Sequence, residues 1–138
     1  MSRILGIDYG SVRTGLAITD ALGITAQGLE TFVSEGNDKK LLRRIEEIIN
    51  EYEISEIVIG NPINMDGTKS KRSDETEKFV HKLKSRFNTI PVIMSDERLT
   101  TVEAHKTMNF LEIKNTKKKS LVDTIAAVYI LENYINKK

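Results

Sequence analysis

Cysteine is absent from all 138 residues of the sequence, and this absence excludes two classes of structure. Disulfide bonds cannot form, and metal sites built on thiolate ligands are also excluded. A chain without disulfides fits a reducing compartment. We therefore expect a cytoplasmic protein whose stability comes from its core.

Histidine is scarce, since the chain contains only His81 and His105. Both lie in segments with a helical charge pattern, which favours surface positions over metal-ligand roles. Any metal site must therefore be rich in oxygen ligands. Oxygen ligands favour Mg²⁺ or Mn²⁺ over Zn²⁺.

Long apolar runs are also missing. A membrane-spanning helix needs about 18 or more consecutive apolar residues, and the sequence has no such run. Its N-terminal residues lack the apolar core of a signal peptide. The length suits one domain, and there is no internal repeat, low-complexity tract or linker. We predict a single domain over residues 1–138 with no membrane partner.

Charge is balanced overall but uneven along the chain. The formal net charge is +1, yet basic residues cluster at Lys69, Lys71 and Arg72, and again from Lys114 to Lys119. We predict that both clusters lie in loops. They are either solvated loop charge or a pair of arms that contact phosphates.

Apolar patterning predicts an α/β protein. The order is β-β-β-α-β-α-β-α-α, and the short links between the first three strands favour an antiparallel meander. The two later strands follow helices, which favours parallel pairing. This predicts a mixed five-stranded sheet, three antiparallel strands plus two parallel, with helices on both faces, as in the ribonuclease H-like fold. The predicted strands cover residues 3–9, 14–20, 24–33, 56–60 and 91–96, and the predicted helices begin near residues 37, 73, 100 and 120.

Three acids stand at the ends of these predicted elements. Asp8 closes a buried apolar strand, Glu97 follows the last strand, and Asp123 begins an apolar helix. A carboxylate at the end of a buried strand is costly unless it has a partner. Strand ends and helix starts meet at one edge of a sheet, so the three can converge. Carboxylates that hold two cations are what metal-dependent phosphodiester hydrolysis requires.

Two of these acids have a purely structural alternative. Asp8 is also typical of a turn residue that accepts amide hydrogen bonds near Gly10. Asp123 is also compatible with the second half of a capping box that Ser120 begins. The apolar helix that follows Asp123 favours a polar cavity for its side chain.

Glu97 has alternatives of its own. It could pair with Arg98 on the surface rather than bind a metal. Its neighbour Asp96 points to the opposite face if the backbone is extended. Spacing alone leaves open which of the two acids faces the site.

Four stretches of the sequence, taken together, resemble the motifs of a known protein family. They lie at residues 6–15, 60–68, 96–104 and 119–131. They begin with Gly-Ile-Asp-Tyr-Gly, Gly-Asn-Pro-Ile-Asn, Asp-Glu-Arg-Leu-Thr and Lys-Ser-Leu-Val-Asp. In this order the chain resembles the YqgF family, also called RuvX, of the ribonuclease H-like nucleases. The resemblance spans nearly the whole chain.

The resemblance implies a metal-dependent nuclease, that is, a hydrolase acting on ester bonds, with Mg²⁺ or Mn²⁺ as cofactor. Its acidic triad is Asp8, Glu97 and Asp123, which are implied both as catalytic residues and as metal ligands. Further residues are implied as contacts of a nucleic-acid substrate: Arg13, Asn64, Lys69, Arg98, Thr100, Lys117, Lys118 and Lys119.

The family carries two biological roles. We favour maturation of the 5′ end of pre-16S ribosomal RNA during ribosome biogenesis, with ribosomal particles as partners. The alternative is a Holliday junction resolvase acting on branched DNA, which calls for a two-fold dimer. The sequence leaves a monomer or a homodimer open. Two rivals are a non-catalytic nucleic-acid-binding module and a phosphotransferase of the actin-like ATPase fold, which needs two such domains.

Overall fold

The computed structural model describes residues 3–62, 66–68, 70–96 and 115–137, with side chains in the last segment from Val122 onward. No helix within these ranges combines the length and apolar character needed to cross a membrane. The helix predicted near residues 100–111 lies outside the described residues. The elements are β1 (Arg3–Asp8), β2 (Arg13–Thr19), β3 (Ala26–Val33), α1 (Asp38–Tyr52), β4 (Ile54–Asn61), α2 (Lys71–Arg86), β5 (Val92–Asp96) and α3 (Asn115–Asn136).

The five strands form one mixed sheet in the order β3-β2-β1-β4-β5. β1 pairs antiparallel with β2, and β2 pairs antiparallel with β3. β4 lies parallel to both β1 and β5. The predicted arrangement of a meander followed by two parallel strands is confirmed. β4 is an interior strand with helices over both faces, which explains why its apolar run does not alternate with polar residues.

Helices cover both faces of this sheet, as predicted. Leu5 and Ile7 of β1 point into the core that α1 and α2 complete. Ile4, on the other face of the same strand, packs in the cluster formed with α3. Alternation along a strand puts Asp8 on the α3 face, in line with Ile4 and Gly6. The single domain over residues 1–138 stays a prediction.

The first two helices begin at side-chain caps. Asn37 caps α1 by accepting from the amide of Lys40, as predicted. The cap of α2 is Ser70, whose hydroxyl accepts from the amide of Ser73. The predicted start at Ser73 was therefore three residues late. Ser73 lies inside the helix, buried, and donates to the side-chain oxygen of Asn61.

The last helix also begins earlier than its pattern predicted. α3 starts at Asn115, so the lysine-rich segment predicted to be a loop is helical from that residue onward. Lysine is a good helix former, and the segment extends the apolar helix without apolar residues of its own. The capping-box interpretation of Asp123 is wrong, because Ser120 lies within the helix and not at its N-terminus.

Candidate active site

Asp8 lies where β1 leaves the sheet. Four buried residues precede it, and its own side chain is 15% exposed. In the antiparallel register Asp8 stands opposite Gly15 of β2. Asp8 therefore lies at the edge of the sheet, and its carboxylate is on the face that points toward α3.

Small residues in the sheet let α3 pass directly over this edge. A Cβ placed on Gly15 would come within 1.9 Å of the backbone carbonyl oxygen of Asp123. On the neighbouring strand, the hydroxyls of Thr31 and Thr124 lie 2.6 Å apart and join β3 to the same turn of α3. The close approach of helix to sheet brings Asp123 next to the end of β1.

The two carboxylates line one cavity of about 280 Å³ at the sheet edge. It is bounded by the end of β1, the turn into β2, the first turns of α2 and the middle of α3. Its polar walls carry charges of both signs. The lining residues are Asp8, Gly10, Ser11, Val12, Arg13, Arg72, Glu75 and Asp123.

Each carboxylate faces an arginine. Arg13 donates from Nε to Oδ2 of Asp123 over 3.0 Å. The Nη2 atom of Arg72 lies 3.6 Å from Oδ1 of Asp8 and donates to the backbone carbonyl of Tyr9 over 3.1 Å. The negative charge of the cavity is thus partly balanced by two side chains from β2 and α2.

The turn between β1 and β2 is held in a fixed shape. Gly10 donates from its amide to the hydroxyl of Thr14, and a Cβ at this position would lie 2.2 Å from the carbonyl oxygen of Arg13. Amides of Ser34, Glu35 and Gly36 donate to the carbonyls of Ser11 and Val12. These hydrogen bonds therefore hold the backbone of the turn at the cavity wall and keep the turn out of the cavity.

Tyr9 anchors the strand end from the opposite face. Its ring stacks on Phe79 with 4.3 Å between centroids, and its hydroxyl donates to Asp38 over 2.8 Å. Burial, with the hydrogen bond to and the charge of Asp38, raises the pKa of Tyr9 far above its ordinary value. The tyrosine is therefore a neutral donor that fixes the backbone next to Asp8.

Comparisons with known proteins assign the chain that carries this site to a family. A family model described as "RuvX: Holliday junction resolvase" matches residues 2–137. The chain belongs to the RuvX family. A Ruminiclostridium cellulolyticum protein named "Putative pre-16S rRNA nuclease" is 55% identical over 135 residues, covering 98% of this chain and 94% of that protein. A protein of the same name from Acetivibrio thermocellus is 49% identical over 136 residues, or 99% of this chain and 96% of that protein.

Solved structures confirm the fold. T. thermophilus RuvC in complex with a Holliday junction substrate covers 99% of this chain and 95% of its own, with a TM-score of 0.58 and 14% identity. The fowlpox virus Holliday junction resolvase covers 99% of both chains, with a TM-score of 0.56 and 15% identity. At such identities the likeness shows the fold alone. The ribonuclease H-like fold, the RuvX assignment and the prediction of a nuclease are confirmed.

The donor chemistry at the RuvX cavity fits a divalent cation. Asp8 and Asp123 supply carboxylate oxygens, the ligands that Mg²⁺ and Mn²⁺ prefer, and both line the same space. Within the described ranges, no third carboxylate or imidazole completes a three-residue metal cluster. Glu97, the predicted third ligand, lies outside those ranges.

The register of β5 puts Asp96 at the same edge of the sheet as Asp8 but on the other face. Asp96 is the last residue of the strand and pairs with Asn61 of β4. Ser95 pairs with Gly60, and alternation puts these two residues on the α3 face. Asp96 therefore belongs to the face opposite Asp8.

The remaining predicted residues are distributed unevenly. Arg13 lines the cavity, and His81 is exposed on α2, as predicted. Residues 117–119 lie on the first turns of α3 rather than in a loop. Four predicted substrate contacts lie outside the described residues: Asn64, Lys69, Arg98 and Thr100.

Sequence reasoning missed two lining residues, Arg72 and Glu75. Arg72 belongs to a cluster predicted to lie in a loop, and Glu75 lies near the helix start predicted at residue 73, where no site residue was expected. The available signal was Ser70, a capping residue that puts both on the first turns of α2. A helix at that point carries them to the cavity rim.

Proposed function

We propose that this RuvX-family nuclease is a divalent-metal-dependent enzyme that processes the 5′ end of pre-16S ribosomal RNA in the cytoplasm. The observation that carries the proposal is the convergence of Asp8 and Asp123, from β1 and α3, on one cavity. The relatives named for this activity, at 49% and 55% identity over nearly the whole chain, support the substrate. The proposed partners are precursor RNA and ribosomal particles.

The proposed metal ligands are Asp8, Asp123 and Glu97, with Mg²⁺ or Mn²⁺ as the ion. Asp96 lies on the face opposite Asp8, and this supports its neighbour Glu97 as the proposed third ligand. When bound, divalent cations activate a water for attack on the phosphodiester and stabilise the leaving oxygen. The fixed turn at Gly10 and the anchored Tyr9 would hold Asp8 in place for its role.

Basic and polar side chains are the proposed contacts of the nucleic-acid backbone. Arg13 is the described member of this set, with a side chain 37% exposed at the cavity wall. Phosphate contacts position a nucleic acid without reading its sequence, so the cleavage site would be chosen by the shape of the precursor. The other proposed contacts are Asn64, Lys69, Arg98, Thr100, Lys117, Lys118 and Lys119.

The family description supports a second candidate, a Holliday junction resolvase. A resolvase makes two symmetric cuts and therefore needs two active sites related by a two-fold axis. A processing ribonuclease can act as a monomer or as a homodimer. The substrate and the symmetry of cutting therefore discriminate between the two.

The test compares the wild type with Asp8→Asn and Asp96→Asn in Mg²⁺ and in Mn²⁺. The substrates are single-stranded RNA spanning the 5′ end of the pre-16S species, duplex RNA and a four-way DNA junction. Asp96→Asn is the matched control, because it makes the same chemical change on the opposite face of the sheet. We expect cleavage of the RNA by the wild type and by Asp96→Asn, and none by Asp8→Asn.

Other outcomes decide against the proposal. Paired symmetric nicks in the junction with no RNA cleavage would establish the resolvase. Nucleic-acid binding that does not depend on Mg²⁺, with no cleavage of any substrate even on purified ribosomal particles, would establish a non-catalytic binding module. Equal cleavage by the wild type and by Asp8→Asn would remove this cavity from the chemistry.

A further inference from the structure

Arg72 is held at the cavity rim by two contacts of different kinds. Its Nη2 atom donates to the carbonyl oxygen of Tyr9 over 3.1 Å and lies 3.6 Å from Oδ1 of Asp8. The first is a well-formed hydrogen bond to backbone. The second is a long ion pair. The backbone contact does not depend on the charge of Asp8, so the guanidinium can lose the ion pair and keep its place.

The ion pair between Arg72 and Asp8 is also weak for reasons of exposure. The Arg72 side chain is 49% exposed, while that of Asp8 is 15% exposed. Exposed ion pairs contribute little to stability because water and salt screen them. Asp8 therefore has a nearby positive charge that it can exchange at low cost.

Arg13 and Asp123 make a different kind of contact. The Nε atom of Arg13 donates directly to the carboxylate over 3.0 Å. Both groups are less exposed than Arg72, at 37% and 21% of their side-chain surface. The direct hydrogen bond makes this pair the more persistent of the two. Among the residues that the structure describes, Arg13 is therefore a firmly held counter-charge of the cavity and Arg72 an exchangeable one.

We infer that Arg72 is a positioning residue that acts as an exchangeable counter-ion of Asp8, competing with a divalent cation for that carboxylate and remaining at the rim once the cation binds. This inference rests on the proposed function, because it assumes that Asp8 binds a metal. Without metal, the guanidinium offsets the repulsion between Asp8 and the other acids of the cavity. With metal, the hydrogen bond to Tyr9 keeps a positive charge at the rim of the cavity.

Competition with the metal and a purely structural role of Arg72 predict opposite changes in metal binding when Arg72 is replaced. Removing a residue that supports the site would weaken metal binding. Removing a positive charge that competes for Asp8 must strengthen it. A unit charge about 4 Å away is worth about a fivefold change in an equilibrium even in a water-like dielectric.

The test is direct Mn²⁺ binding, measured by isothermal titration calorimetry and by the free-Mn²⁺ electron paramagnetic resonance signal, without nucleic acid. The variants are Arg72→Gln, Arg72→Lys and Lys71→Gln. Lys71 is the matched control, because it is an exposed cation on the same first turn of α2. Asp8→Asn serves to show that the Mn²⁺ measured is bound at this cavity.

We expect Arg72→Gln to bind Mn²⁺ about five- to tenfold more tightly than the wild type. Arg72→Lys keeps the charge and should stay within about twofold, as should Lys71→Gln, whose exposed charge is screened. Unchanged or weaker binding by Arg72→Gln, with wild-type binding that Asp8→Asn abolishes, would overturn the inference and leave the proposed metal site standing. A wild type that binds no Mn²⁺, or binds it equally well as Asp8→Asn, would overturn both.

Discussion

Gly15 lies directly beneath Asp123, so close that a Cβ on the glycine would come within 1.9 Å of the aspartate's carbonyl oxygen. Gly15 is also the cross-strand partner of Asp8. One residue without a side chain therefore sets the distance between the two elements that carry the proposed metal ligands. The fold and the site depend on the same contact.

We predict that Gly15→Ala lowers the free energy of unfolding and also reduces divalent-metal binding. The added methyl meets backbone, which cannot rotate away, so α3 must shift. Overpacking of this kind costs about 1–3 kcal/mol. Urea unfolding gives the stability, and Mn²⁺ titration of the folded variant gives the effect on the site.

Gly28→Ala is the control for this change. Its Cβ would meet the Cγ2 atom of Thr124, at 2.4 Å, rather than backbone. A side chain can adjust more readily than a helix backbone, so we expect a smaller decrease in stability and near-normal Mn²⁺ binding. A decrease at Gly28 that equals the decrease at Gly15 would contradict the idea that the helix backbone is the constraint.

The sequence was sufficient to predict that Asp8 ends a buried strand, but not to predict which residues surround it. The position of Asp8 is predictable because Asp8 ends a run of apolar residues, and such a strand end is determined by the local sequence. The contact between Gly15 and Asp123 joins segments far apart in the chain, and no local pattern predicts it. The start of α3 was misplaced because lysines carry no apolar period, although they favour helix.

The second prediction separates the adjacent acids at the end of β5. Asp96 pairs with Asn61 on the face opposite Asp8. We expect Glu97→Gln to lower the cleavage rate at least about a hundredfold, because metal-ion stabilisation of the transition state is worth several kcal/mol. Asp96→Asn should retain most of the wild-type rate. Rates under single-turnover conditions measure both, and the reverse pattern would assign the metal ligand to Asp96.

The third prediction concerns the lysines on the first turns of α3. Neutralising Lys117, Lys118 and Lys119 together should weaken nucleic-acid binding and flatten its salt dependence, by roughly 0.7–0.9 in slope for each phosphate that the variant no longer neutralises. Consecutive helical positions lie about 100° apart around the axis, so single substitutions should contribute unequally. Fluorescence anisotropy over a range of salt concentrations gives the slope.

The control for the lysine triple is a second triple on α1. Lys39, Lys40 and Arg43 are exposed on the helix that covers the opposite face of the sheet. Neutralising them removes the same total charge and should leave the salt slope within error of the wild type. Equal flattening by both triples would mean that net charge, and not a contact by α3, governs binding.

The last prediction concerns the pH dependence of stability. The hydroxyl of Tyr134, near the end of α3, donates a hydrogen bond to the carboxylate of Glu56 on β4. Burial, together with the hydrogen bond to Glu56 and the charge of Glu56, raises the pKa of Tyr134 from 10.0 to about 12. From pH 10 to about 12 the folded chain therefore keeps a proton that the unfolded chain has released. The free energy of unfolding must fall across this range, and the contribution is complete below it.

Tyr134→Phe tests this alkaline limb. We expect the variant to be less stable at pH 8 by about 1 kcal/mol, the typical worth of one hydrogen bond. Its stability should decline less steeply than that of the wild type above pH 10. A residual slope will remain, because the pKa of Tyr9 is also raised. Urea unfolding at a series of pH values measures both effects. If the free energy of unfolding depends on pH in the same way in both proteins, the hydrogen bond from Tyr134 does not stabilise the packing of α3 on the sheet.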